Sequence, residues 1–139
     1  MAVLKTMLAA LVAMVLCAPV AAAEPLDQPE PIAPPEVPPE AGVVFTDNPA
    51  IIDPHPMRIE SWSRAPQDNA VLVHFTSGPP ECTGVHATVQ ETPETVTVDL
   101  RGGTPPDAVG RACIMIALRG TLEVPLQAPL GDRKVLSAA

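Results

Sequence analysis

The sequence predicts an all-β protein: a single small antiparallel β-sandwich of immunoglobulin-like architecture, spanning residues 43–139. Three observations lead there. Short runs of alternating apolar and polar residues recur about every ten positions, the spacing of sandwich strands. Gly and Pro clusters punctuate the runs, and roughly 95 residues suit one domain.

Met57 to Ser63 alternates, with Met57, Ile59 and Ser61 on one side and Arg58, Glu60 and Trp62 on the other. Before it, Asp53-Pro54-His55-Pro56 reads as a rigid surface loop. From Asn69 to Thr76 the run is denser, and Val71, Val73 and Phe75 share a face. Gly78-Pro79-Pro80-Glu81 is a strong turn signal. Val85, Ala87 and Val89 alternate with His86, Thr88 and Gln90. After a turn at Thr92-Pro93-Glu94, Val96, Val98 and Leu100 do the same. A loop over 102–110 leads to Ala112–Leu118, expected as a fifth strand, although its composition also fits a buried helical turn. Thr121–Leu126 and Lys134–Leu136 complete the set. Between them, Pro129-Leu130-Gly131-Asp132-Arg133 reads as a tight turn in which Gly131 takes a positive φ. With Trp62, Phe45 and Phe75 as its only aromatics, the core must be aliphatic. The lack of tyrosine removes the tyrosine corner and argues against a close immunoglobulin relative.

Ahead of this domain stand two segments of different material. Residues 1–23 carry Lys5, an apolar run from Met7 to Ala18, Pro19, and the small residues Ala21-Ala22-Ala23. That is the plan of a secretory signal peptide cleaved after Ala23, so no stable membrane span is expected in the mature chain. Lipidation at Cys17 is disfavoured because Leu16 stands where a small residue is wanted. Residues 24–42 are expected to be a disordered, acidic, proline-rich linker. Seven of the 17 residues from Glu24 to Glu40 are proline, and five are Asp or Glu. Such a stretch favours an extended, self-repelling spacer over a docking peptide.

Removing the signal lowers Lys plus Arg from 8 to 7 against 16 Asp plus Glu, a formal net charge of −9. Nucleic acid is excluded as a partner, for want of a basic footprint. Removing Cys17 also leaves an even pair, Cys82 and Cys113, which in an oxidising compartment reads as a structural disulfide. The redox alternative would call for a C-x-x-C, which is absent.

One constellation has chemical potential. If Gly78–Glu81 closes a hairpin, His74 lies opposite His86, and a turn at Thr92-Pro93 puts His86 opposite Asp99. His74, His86 and Asp99 would then form a candidate zinc or copper set, or else a polar stripe on the solvated face. The other enzyme signatures are missing: no Gly-x-Ser-x-Gly elbow, no phosphate loop, no HExxH. No catalytic residue and no cofactor are expected.

The stretch from Gly78 to Val135 resembles a group of small exported actinobacterial proteins of unknown function. The resemblance rests on Gly78 to Cys82, on Thr95-Val96-Thr97-Val98 with Arg101-Gly102-Gly103 and Ala112-Cys113, and on the segment from Val124 to Arg133. It implies a β-rich domain with a Cys–Cys bridge in a secreted or envelope setting, and carries no activity. The expectation is therefore a secreted or envelope-associated binding or structural module, its partner an envelope protein, an extracellular protein or a wall component. Two alternatives stand beside it: a metal-binding protein using His74, His86 and Asp99, and a protease inhibitor offering the 102–110 loop next to Arg101.

Overall fold

In the computed structural model of the protein, residues 29–139 are described. The expected signal peptide and linker residues 24–28 lie outside them. Eight strands form: β1 (Val43–Phe45), β2 (Ile52–Pro56), β3 (Ser61–Arg64), β4 (Ala70–Ser77), β5 (Gly84–Glu91), β6 (Thr95–Thr104), β7 (Leu118–Pro125) and β8 (Lys134–Ser137). One sheet has the order β1-β7-β4-β3. The other runs β2-β6-β5, with β8 beside the first half of β6. The result is the expected β-sandwich. Its sheets are mixed, because β1 pairs with β7 and β8 with β6 in parallel, while the remaining pairs are antiparallel.

Alternation decides what goes inside. Val71, Val73 and Phe75 of β4 meet Val85 of β5 and Val96, Val98 and Leu100 of β6, all essentially solvent-free. Phe45 and Phe75 pack edge to face with centroids 5.3 Å apart. Gly120 on β7 makes that possible, because a Cβ there would lie 2.5 Å from the Phe75 ring and 2.9 Å from Phe45. Gly131 takes φ +55° in the turn before β8, as its sequence context predicts.

Four local expectations are corrected. Gly78–Glu81 does not close a hairpin: β4 already has β3 and β7 on its two edges, so the chain crosses to the other sheet to begin β5. Of the run Ala112–Leu118, only Leu118 is strand, as the first residue of β7. The β4–β7 ladder ends at Ser77↔Leu118, and residues 111–117 lie exposed beyond it. The Asp53–Pro56 stretch is strand rather than loop, on the edge position where proline is tolerated, with Asp53 at φ 51° beside a register shift.

The last correction concerns the linker. Ile32 exchanges two backbone hydrogen bonds with Ser137 (2.8 and 2.7 Å), Val37 donates to Trp62 at 2.8 Å, and Trp62 donates to Pro35 at 3.0 Å. Residue 36 thus sits at the β3 edge, whereas β1 sits at the opposite edge of the same sheet. The core fills the inner face, so residues 37–42 cross the outer face as a strap. Two contacts mark the path: Glu40 pairs with Arg119 at 2.7 Å, and Gly42 lies against Arg119 and Thr121. Proline suits this course, since an extended strap over a sheet face has few ladder partners for its backbone donors.

Candidate functional site

The strap explains the first candidate residue. His74 points to the outer face of β4, opposite Ser61 on β3 and Thr121 on β7, yet it is fully buried. Its Nε2 lies 2.7 Å from Ser63 Oγ and its Nδ1 lies 3.0 Å from Thr121 Oγ1. A neutral imidazole has one donor and one acceptor nitrogen, and the two hydroxyls can take either complementary role. Both the serine and the histidine are solvent-free, and no carboxylate orients the ring. The row thus serves as a satisfied polar layer beneath the strap.

Burial lowers the His74 pKa from its ordinary 6.5; Glu40 opposes the shift and Arg119 reinforces it. The unfolded chain therefore binds the proton more readily than the folded one. Stability is complete above pH 6.5 and is lost as pH falls below it. Urea midpoints are expected to fall between pH 7 and pH 5, and His74→Gln is expected to flatten that slope. An unchanged slope in the variant would refute the assignment.

The proposed metal set is not brought together. His74 and His86 lie in different sheets. The β5–β6 turn centres one residue later than expected, which shifts the pairing by two, so His86 faces Arg101 while Asp99 faces Thr88. His86 Nδ1 contacts Asp47 at 3.0 Å, and Asp99 holds Arg101 through bonds of 3.0–3.2 Å. Among the described residues, no group of three His, Cys, Asp or Glu is placed to hold a metal ion. The 102–110 bait loop is corrected too. Residues 102–104 continue β6, Pro106–Ala108 is a 3₁₀ turn, and Pro105 and Ala108 are buried. Arg101 is a strand residue paired within the domain.

What the structure presents instead is the connection from β6 to β7. Cys82 and Cys113 are joined in a disulfide that ties this connection to the β4–β5 crossover at one end of the sandwich. Directly after Cys113, Ile114, Met115 and Ile116 are 66%, 98% and 46% exposed. Among the described residues, residues 112–116 make no backbone hydrogen bond to the rest of the domain. Beneath them opens a cleft of about 590 Å³, lined by this loop, the disulfide and the start of the crossover. Consecutive large apolar residues held in water by a covalent staple are not a core feature, and they make this loop the candidate docking surface. An unbroken apolar run hid this in the sequence: Cys-Ile-Met-Ile-Ala-Leu reads as a buried strand. The available signal was the cysteine at its head and the arginines at 111 and 119 on its flanks.

The fold and this site define a disulfide-stapled β-sandwich with an apolar loop displayed at one end. No family model, no curated protein and no solved structure matches the chain. Among the described residues, no helix is long and apolar enough to cross a membrane.

Proposed function

We propose that the chain is an exported or cell-envelope-associated binding module without catalytic activity, and that the Ile114-Met115-Ile116 loop is its docking surface. The observation that carries this reading is the exposure of three adjacent large apolar side chains on a disulfide-anchored loop. Export is supported by the disulfide, which suits an oxidising compartment, and by the signal-like residues 1–23. The acidic balance disfavours electrostatic attraction to anionic lipid, so recognition would run through apolar contact. The Pro-rich strap adds no separate surface here, since its second half is bound to the domain's own sheet.

The test uses the full mature chain and an envelope fraction. Wild type is expected to be retained saturably. A variant carrying Ile114→Ser, Met115→Ser and Ile116→Ser is expected to bind at least tenfold more weakly. Because these side chains are exposed, its stability should stay within about 0.5 kcal/mol of wild type. Equal retention of the two proteins would sink the proposal.

A further inference from the structure

Ser77 is the last residue of β4 and continues the inward row of Val71, Val73 and Phe75 to the mouth of the sandwich. It is 8% exposed, and its Oγ is buried with no hydrogen-bond partner, the one such side-chain atom among the described residues. An orphaned buried hydroxyl is costly and calls for an explanation. Its location supplies one, because Ser77 lines the cleft under the apolar loop.

We infer that this cleft binds a neutral amphiphile: a single apolar chain carrying a hydroxyl or ester head, with the head bonded to Ser77 Oγ. The inference rests on the loop being the binding surface and names the ligand class for it. Four observations support it. The cleft volume of about 590 Å³ falls within the roughly 300–1,000 Å³ of small-molecule sites. Its walls are apolar where the loop and Pro79 form them, which suits a hydrocarbon chain.

Its polar groups are few, and Thr76 is already engaged, donating to Glu60 at 3.0 Å. Thr83 is partly exposed and open to water, which leaves Ser77 as the buried hydroxyl in want of a partner. Finally, no Lys, Arg, His, Asp or Glu lines the cleft. A carboxylate or ammonium head would lose its hydration with no counter-charge, whereas a neutral head would lose little. Because Ser77 Oγ is buried, reaching it requires the cleft lining to open, and the lack of backbone hydrogen bonds across residues 112–116 lets the loop move while Cys113 stays anchored.

The experiment loads the mature, oxidised protein with Nile red and displaces the dye with 1-decanol or with decanoate at pH 8. Decanol is expected to displace it, with decanoate at least tenfold weaker. Ser77→Ala should raise the decanol concentration needed about five- to tenfold, while melting at or above the wild-type temperature because the orphan is gone. Ser77→Thr, which keeps the hydroxyl, should restore most of the decanol response. Failure of decanol to displace the dye, or equal potency in wild type and Ser77→Ala, would overturn the inference. Envelope retention that depends on the loop but is indifferent to decanol would also overturn it, and would leave the docking reading standing.

Discussion

Arg133→Ala is expected to destabilise the domain by about 3 kcal/mol, at the lower end of the range for breaking a buried ion pair. The Arg133 and Glu91 side chains are only 11% and 15% exposed, and Nη1 lies 3.0 Å from Glu91 Oε1. The rest of the guanidinium donates to backbone carbonyls: Leu130 at 3.2 Å, Ala128 at 3.0 Å and Pro129 at 2.9 Å. Glu91 in turn accepts from the Gln127 N–H at 2.8 Å. One residue pair therefore fastens the turn over 127–133 to the end of β5. Removing the arginine strands a mostly buried carboxylate and loosens the approach to β8. Arg133→Lys should recover only part of the loss, because an ammonium cannot span this fan of acceptors.

Acid should reproduce some of the effect. The Gln127 N–H, followed by Arg133 and Ala128, outweighs burial and holds the Glu91 carboxyl below its usual 4.5. A depressed carboxylate contributes stability that is present above pH 4.5 and is lost as pH falls through its folded value. Denaturant midpoints of wild type and Arg133→Ala, measured at pH 7 and again below pH 4.5, should converge as Glu91 takes up a proton. A constant gap between them would show that the arginine acts by packing alone.

The alternating runs were legible because burial on one face leaves a period-two imprint, as at Val96, Val98 and Leu100. The cysteine pair was legible from count and compartment. Three things left no such imprint. The β4 run does not say which edges are free, and with β3 and β7 on both, the Gly78–Thr83 segment had to change sheets. That separated His74 from His86.

The strap was hidden because proline and acidic residues promote an extended backbone whether or not a sheet lies beneath it. Four long-range bonds, two between Ile32 and Ser137 and two joining Pro35 and Val37 to Trp62, convert spacer into structure. The apolar loop was hidden because hydrophobicity cannot distinguish a buried strand from a displayed one. Arg133 was visible only as the last residue of the Pro129–Arg133 turn, and its environment depends on Glu91, 42 positions away.

Removing the disulfide, by Cys82→Ser together with Cys113→Ser, should cost about 3–4 kcal/mol. In the chain-entropy model that is the value for closing a loop of 31 residues. It is a large part of the roughly 5–15 kcal/mol that holds a domain together, so the double variant should melt well below wild type. The effect should also be local. With no backbone hydrogen bonds across residues 112–116, the Cys113 bond is the loop's covalent attachment to the crossover. Cutting it should let the loop sample many conformations, and trypsin should cleave after the exposed Arg111 much faster than in wild type. That cleavage should quicken at temperatures where the rest of the domain is still folded. If cleavage at Arg111 only kept pace with global unfolding, the disulfide would be stabilising the sandwich as a whole rather than displaying the loop.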